Sequence, residues 1–277
     1  MTESWFQSKI AVDYGALHVH TDPLHQLFSG NISSETAAEH IISGNLKRQD
    51  DTAWRLWNLL FDAAAELPQH HETIIEVVLA IQAKHDNATD DPGLAEWMTE
   101  FPSDWRDRHG SLWSSREGNL GKPAQQNADI SLPGAAEQYS HFNAFSAKLL
   151  SSPFRPGVKV KPLAWSEFKG LLESPPESYD GGSRRPLNDD ERRKMLLIDV
   201  VGAAQWALYA SDTLRNAEDV PDCGVRYLHA QEGLWKGSEG FTLERWEFWK
   251  DRFQNLVDAG KLDASTDEIV KQAVGKM

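Results

Sequence analysis

Cysteine is almost missing from this chain of 277 residues, in which Cys223 is the single example. One cysteine cannot form a disulfide within the chain, and disulfides are typical of oxidising compartments. Long apolar runs are missing too, since no stretch reaches the roughly 20 apolar residues of a membrane-spanning helix. We therefore expect a cytoplasmic protein that has no contact with a membrane.

Positive charge is scarce. The chain has 28 Lys and Arg against 42 Asp and Glu, which gives a net charge of -14. Nucleic acids and anionic lipid surfaces require a basic face. Basic residues cluster at Arg184–Arg185 and at Arg192–Lys194. The composition therefore predicts that the protein does not bind nucleic acid.

Several catalytic motifs are missing as well. The sequence has no Gly-x-Ser-x-Gly elbow, no Gly-x-Gly-x-x-Gly turn and no phosphate-binding loop. Hydrolase, dinucleotide-dependent and kinase activities are thereby disfavoured. We expect no cofactor.

Histidine offers one partial set of metal ligands. His18 and His20 alternate near Asp22 and His25, and imidazole with carboxylate is a common donor set. The segment is short and contains Pro23, which favours adventitious binding, so we expect no metal site. A second pair, His70–His71, is predicted to be solvated at an exposed helix start.

Helical periodicity recurs along the chain, whereas strand-like alternation is not sustained. The pattern predicts an all-α fold, a single-domain irregular bundle of seven to nine helices around a long central helix. That helix is expected over Asp189–Asp219, with Asn188 as its N-terminal cap. Other helices are expected at 34–43, 51–67, 68–84, 103–113, 133–150, 163–172 and 242–259, with one more at the C-terminus.

The expected domain organisation is simple. Residues 1–33 are predicted to form an N-terminal extension and residues 34–277 the helical domain. Proline and glycine interrupt the domain twice, at about 114–132 and 174–188. Both segments are predicted to be mobile linkers, and the second is predicted to be exposed.

Several blocks of sequence resemble a known family. The blocks are Thr52-Ala-Trp-Arg-Leu-Trp57, His141-Phe-Asn-Ala-Phe-Ser-Ala-Lys-Leu149, Ala203-Ala-Gln-Trp-Ala-Leu-Tyr-Ala210, Gly233-Leu-Trp-Lys-Gly237 and Gly240-Phe-Thr-Leu-Glu-Arg-Trp-Glu-Phe-Trp-Lys-Asp-Arg-Phe253. In order and spacing they resemble the fungal family catalogued as domain of unknown function 3632, over most of residues 35–260. The resemblance implies a fungal, all-helical, intracellular protein, with a loose link to specialised metabolism. It carries over no catalytic residue.

The long helix carries the strongest candidate site. Asp199, Gly202, Trp206 and Tyr209 share one face by helical spacing, with Gln205 beside it. A carboxylate among apolar residues must be paired or protonated. Two interpretations stay open: a chemical one, in which Asp199 is an acid or base, and a structural one, in which it pairs with Arg55 or Arg245. In the structural interpretation Gly202 marks a tight helix crossing.

Aromatic helices provide the expected walls of that site. Trp246 and Trp249 follow Arg245, a possible second catalytic group because guanidinium suits carboxylate ligands. Trp54, Arg55 and Trp57 lie on an earlier helix. The ligand-binding candidates are therefore Trp54, Arg55, Trp57, Gln205, Trp206, Tyr209, Trp246 and Trp249. Core packing is the alternative role for the aromatic residues.

Two functions are consistent with these patterns. The first is a cofactor-independent isomerase, cyclase or lyase of specialised metabolism, with a small-molecule ligand in an aromatic pocket. The second is a non-catalytic helical scaffold for a protein partner, or a ligand-binding protein. An apolar pocket with convergent polar groups favours the first, and a broad exposed aromatic patch over a packed interior favours the second.

Overall fold

The computed structural model describes residues 2–11, 15–45, 53–87, 92–116, 134–176, 179–183, 185–217 and 233–277. These residues are all-helical, without strands, and they form eleven α-helices rather than the predicted seven to nine. The helices are α1 (Thr2–Ile10), α2 (His18–Phe28), α3 (Ser34–Asn45), α4 (Ala53–Glu66), α5 (His71–Asn87), α6 (Pro92–Ser115), α7 (Ala135–Ser151), α8 (Lys161–Leu172), α9 (Asp189–Arg215), α10 (Leu243–Asp258) and α11 (Ala264–Lys276). Short 3₁₀-helices at Pro68–His70 and Arg155–Val160 precede α5 and α8.

Helix α9 is the longest and packs on α7, α11 and α8. It begins as the sequence predicts: the Asn188 side chain accepts from the Glu191 amide, and the Glu191 carboxylate accepts from the Asn188 amide. This reciprocal capping box satisfies two backbone donors at the helix start. The helix ends at Arg215, and residues 218 and 219, the end of the predicted helix, lie outside the described residues.

Helix α6 corrects the prediction of a short helix over 103–113. It extends over Pro92–Ser115 and continues through Pro102. A proline inside a helix removes one backbone hydrogen bond and costs roughly 3 kcal/mol. Burial compensates for this cost, because Phe101 and Trp105 are fully buried and Phe101 packs edge-on against Trp57 of α4 at 4.9 Å.

The N-terminal segment contains two helices that the sequence did not predict. Trp5 of α1 and Leu24 of α2 are fully buried and belong to the same cluster of apolar side chains as the other helices. The Trp5 indole donates to Glu66 of α4 at 2.7 Å, and the Lys9 ammonium lies 2.9 Å from the same carboxylate. The domain boundary between residues 33 and 34 stays a prediction.

The segment 174–188 is only partly exposed, in contrast to the predicted exposed linker, and its mobility stays a prediction. In its described part, Tyr179, Gly181 and Leu187 are buried. The other predicted linker is described only up to Arg116, and residues 117–132 lie outside the described residues. Within the described residues, no helix combines the length and the apolar character needed to cross a lipid bilayer.

Candidate functional site: a buried polar centre

Asp199 lies on α9 in a buried ion pair with Arg116, which follows α6. The Arg116 Nε lies 2.6 Å from Asp199 Oδ1, and its Nη2 lies 3.1 Å from Oδ2. The Tyr179 hydroxyl donates to Oδ2 at 2.6 Å. Both carboxylate oxygens therefore have partners, and the predicted partner, Arg55 or Arg245, is wrong.

The remaining donors of Arg116 bind the backbone. Its Nη2 donates to the Gly181 carbonyl at 2.7 Å, and its Nη1 donates to the Trp113 carbonyl. The guanidinium carbon lies 4.1 Å from the centre of the Trp113 ring, which adds a cation–π contact.

The two partners of this pair respond differently to burial. Burial lowers the pKa of Arg116, but the adjacent charge of Asp199 outweighs it, so the pKa of Arg116 lies above its ordinary value. Burial also raises the pKa of Asp199, which Arg116 and the Tyr179 hydroxyl oppose. Because a two-point guanidinium contact stabilises a carboxylate, we treat the pair as ionised.

A second buried group of side chains adjoins the ion pair. The Tyr139 hydroxyl of α7 donates to Glu167 Oε2 of α8 at 2.5 Å. His109 Nε2 of α6 lies 3.2 Å from Glu167 Oε1, which is within ion-pair distance. This approach is not aligned as a hydrogen bond, so His109 Nε2 is a buried nitrogen without a hydrogen-bond partner.

The pKa of Tyr139 lies well above its ordinary value because the phenol is buried and the Glu167 carboxylate is adjacent. The hydroxyl therefore stays protonated and donates to Glu167. Tyr139 also links the two groups, since the Arg116 guanidinium carbon lies 5.6 Å from its ring centre. We call His109, Arg116, Tyr139, Glu167, Tyr179 and Asp199 together the polar centre.

Gly202 of α9 allows Tyr139 to occupy this position. A Cβ at Gly202 would lie 2.8 Å from Tyr139 Cε1 and 3.3 Å from Asn143 Nδ2. Asn143 in turn donates to the Tyr139 carbonyl and accepts from the Trp206 indole at 2.7 Å. The tight crossing expected at Gly202 in the structural interpretation is therefore present, and its partner is α7.

The other predicted residues of α9 differ in burial. Trp206 is fully buried, Gln205 is half-buried, and Tyr209 is 44% exposed. The Tyr209 carbonyl accepts from Ser151 at 2.7 Å. Tyr209 is thus exposed although it shares the helical face of Gly202, about two turns further along α9.

Arg245, the other predicted catalytic residue, forms a separate buried ion pair. It donates to both oxygens of Glu173, at 2.6 and 2.7 Å, and its guanidinium carbon lies 4.1 Å from the centre of the Trp165 ring. The Trp249 indole donates to the same carboxylate at 2.9 Å. Trp246 is buried beside it, with its indole 3.4 Å from the Met277 carbonyl.

The predicted residues of α4 have other partners. Trp57 is buried and donates to the Trp97 carbonyl at 3.1 Å. Trp54 is half-buried, with the Arg55 guanidinium 4.9 Å from its ring centre. Arg55 also donates to the Gly15 carbonyl at 2.8 Å. The predicted site residues therefore lie in three separate sets of contacts, on α9, α10 and α4, instead of in one site.

The histidines of α2 are also separated. His18 lies 3.4 Å from Asp22 at the surface, whereas His25 lies 3.2 Å from Glu3 of α1. His20 is buried. In the described part of the chain, no three His, Cys, Asp or Glu side chains are placed to hold a metal ion. Cys223 lies outside that part.

Five members of the polar centre were not candidates on sequence grounds. Tyr139 belongs to an apolar stripe, and Tyr179 lies in a segment rich in proline and glycine. His109, Arg116 and Glu167 are single polar residues without a motif. Buried polar groups must find partners, but the sequence did not predict burial of Tyr139 or Glu167, so no sequence signal selected them.

Comparison with known proteins identifies the family but no activity. The model of the family described as protein of unknown function (DUF3632) matches residues 57–253. No curated protein and no solved structure matches the chain. Because the family match covers well over half of the 277 residues, the chain belongs to the DUF3632 family.

Proposed function

We propose that the protein is a cofactor-independent enzyme of the isomerase, cyclase or lyase class that moves a proton on a small molecule at the polar centre. One observation carries the proposal: His109 Nε2 is buried, has no aligned hydrogen bond and lies 3.2 Å from Glu167. A buried polar atom without a partner costs roughly 1–3 kcal/mol, and a catalytic role is one recognised explanation for such an atom.

In this proposal, His109 takes a proton from the substrate and Glu167 stabilises the imidazolium that forms. The Tyr139 hydroxyl holds the other oxygen of Glu167 in place. A carboxylate beside a histidine stabilises its protonated form. Unlike the carboxylate of a catalytic triad, which binds the opposite ring nitrogen, Glu167 faces Nε2, the nitrogen that takes up the proton in this proposal. Asp199, predicted to be the acid or base, instead anchors Arg116, because both of its oxygens already accept hydrogen bonds.

We also propose that the chain is a single-domain bundle around α9, located in the cytoplasm and without a nucleic-acid partner. The predicted scaffold for a protein partner has less support. Among the described residues, the exposed large hydrophobic side chains are Tyr209, Leu234 and Leu243, which is less than a contiguous docking patch requires. Fungal origin and a place in specialised metabolism stay predictions.

Proton exchange into solvent tests the proposal without knowledge of the natural substrate. We would incubate the protein in D₂O with a panel of small aldehydes, ketones and hydroxyketones and follow the loss of C–H signals by proton NMR. We expect the wild-type protein to exchange at least one compound. Glu167→Gln and His109→Gln should lower that rate by about 100-fold or more, the usual contribution of an acid–base group.

Glu66→Gln is the matched control. Glu66 and Glu167 are equally buried, at 8% exposure, but Glu66 binds Trp5 and Lys9 outside the polar centre. This variant should keep the wild-type exchange rate. Equal rates in all variants would contradict the proposal, as would absence of exchange across the panel together with no co-purified ligand in native mass spectrometry.

A further inference from the structure

The segment Tyr179–Ser183, here called the strap, covers the ion pair of the polar centre. It makes two polar contacts with that pair: the Tyr179 hydroxyl donates to Asp199 at 2.6 Å, and the Gly181 carbonyl accepts from Arg116 Nη2 at 2.7 Å. Tyr179 and Gly181 are both buried. The strap therefore occupies two hydrogen-bonding positions that the ion pair offers.

The turn of the strap is bonded within itself. The Asp180 side chain accepts from the Gly182 amide at 2.8 Å, and the Asp180 carbonyl accepts from the Ser183 amide at 3.1 Å. Gly181 and Gly182 have positive φ angles of 62° and 72°, which favour glycine. Because the turn carries its own hydrogen bonds, it keeps its shape if the strap moves as a unit.

Closure of the strap depends on the missing side chain of Gly181. A Cβ there would lie 2.4 Å from Met195 Cγ and 2.9 Å from Asp199 Oδ2. Asp199 cannot move away easily, because Arg116 and Tyr179 hold its carboxylate. Only glycine therefore allows the strap to approach the ion pair this closely.

Departure of the strap would leave one donor and one acceptor side by side. The donor is Arg116 Nη2 and the acceptor is Asp199 Oδ2, which are 3.1 Å apart. Their charges already compensate each other, so a charged ligand gains little there, whereas a neutral group that replaces both lost hydrogen bonds fits well. A carbonyl oxygen beside a hydroxyl group has this arrangement.

We propose that the strap is a gate over a binding site for neutral hydroxycarbonyl compounds, whose carbonyl replaces that of Gly181 on Arg116 and whose hydroxyl replaces that of Tyr179 on Asp199. A ligand held there lies next to Tyr139, whose hydroxyl binds Glu167. Only the role of this ligand as a substrate rests on the proposed function. Gating and binding are nevertheless measurable without any turnover.

Gly181→Ala tests the gate directly, with Gly260→Ala as the matched control. Gly260 has a similar φ of 61°, but a Cβ there would meet nothing within 4 Å. Both variants carry the cost of a left-handed alanine, and only the first has the steric clash. Hydrogen-exchange mass spectrometry should show faster exchange of the strap amides in Gly181→Ala and wild-type exchange there in Gly260→Ala.

Binding is measured by NMR titration with hydroxyacetone, and with acetate and methylammonium as charged probes. We expect Gly181→Ala to bind hydroxyacetone about threefold or more tightly than the wild-type protein, because an open site no longer has to displace the strap. The charged probes should gain less than hydroxyacetone. Tyr179→Phe is the second variant, for use if Gly181→Ala does not fold. It removes only the hydroxyl, and it should also give faster exchange of the strap amides and tighter binding of hydroxyacetone.

If the strap amides exchanged at the wild-type rate in both Gly181→Ala and Tyr179→Phe, the gate would be overturned. Faster exchange without tighter hydroxyacetone binding, or an equal gain for acetate, would overturn the binding site. Glu167→Gln separates this inference from the proposed function, since it should keep hydroxyacetone binding and lose proton exchange. If Gly181→Ala binds hydroxyacetone more tightly as expected but no variant changes the rate of proton exchange, the proposed function is contradicted and the gated binding site is not.

Discussion

The Arg116 guanidinium and the Asp199 carboxylate form a buried two-point ion pair between residues 83 positions apart in the chain. Their side chains are 3% and 4% exposed. The pair connects the end of α6 to the middle of α9, two elements that are far apart in the sequence. Loss of one partner would leave the other charge buried without compensation.

Asp199→Asn should therefore destabilise the fold. The change keeps the shape of the side chain and removes its charge, so Arg116 stays buried and unpaired. Such losses cost roughly 3 kcal/mol or more. Urea unfolding followed by circular dichroism measures the change in the free energy of unfolding.

The double variant Arg116→Met, Asp199→Leu is the control for this prediction. It removes both charges, so it should lose less stability than the sum of the two single variants. If Asp199→Asn cost less than about 1 kcal/mol, the pair would contribute little and the carboxylate would not be needed as an anchor.

Gly202→Ala should destabilise the crossing of α9 and α7. The added Cβ would lie 2.8 Å from the Tyr139 ring, and overpacking of this kind typically costs about 1–3 kcal/mol. Gly275→Ala in α11 is the matched control, because a Cβ there would meet nothing within 4 Å. It should be neutral or stabilising by up to about 1 kcal/mol, since alanine is the better helix former. Equal effects of the two changes in thermal unfolding would argue against a tight crossing.

Local sequence patterns predicted the elements that depend on local interactions. The cap at Asn188 and the start of α9 at Asp189 were correct because capping depends on residues within one turn. The all-helical class was also correct. Near Pro102 the local signal was misleading, since burial of Phe101 and Trp105 outweighs the proline.

The polar centre could not be predicted in the same way. The partner of Asp199 lies in a segment expected to be a linker, and Tyr179 lies in another. Such pairs form when distant segments meet, and helical periodicity contains no information about that meeting. The sequence indicated that Asp199 needs a partner, but only the structure identifies Arg116.

Arg245→Lys should destabilise the second buried ion pair. Lysine cannot reproduce the two-point contact with Glu173 or the stacking on Trp165 at 4.1 Å. We expect a loss of about 1.5–3 kcal/mol, the range for hydrogen bonds to charged groups. Arg215→Lys is the control: it changes a pair with Glu247 in which both side chains are about half exposed, and it should stay within about 0.5 kcal/mol. Equal stabilities of the two variants in urea unfolding would contradict this role for Arg245.

His71 should make stability depend on pH between about 6.5 and 4. The sequence predicted a solvated residue, but His71 is 3% exposed and its Nε2 lies 2.7 Å from the Ala64 carbonyl. Burial lowers the pKa of His71 to about 4, from the ordinary histidine value of 6.5. In this range the unfolded chain binds the proton and the folded chain does not. The free energy of unfolding should therefore fall as the pH is lowered, by up to about 3 kcal/mol at 1.36 kcal/mol per pKa unit.

His71→Gln isolates this contribution from that of the carboxylates, which also titrate at low pH. Glutamine can still donate to the Ala64 carbonyl, but it cannot take up a proton. The difference in unfolding free energy between the wild-type protein and this variant should shrink or reverse as the pH falls from 7 to 4. His18→Gln controls for loss of an imidazole at an exposed position, since the His18 side chain is 69% exposed. A constant difference between the wild-type protein and His71→Gln at every pH, measured by urea unfolding, would show that His71 does not titrate out of a buried neutral state.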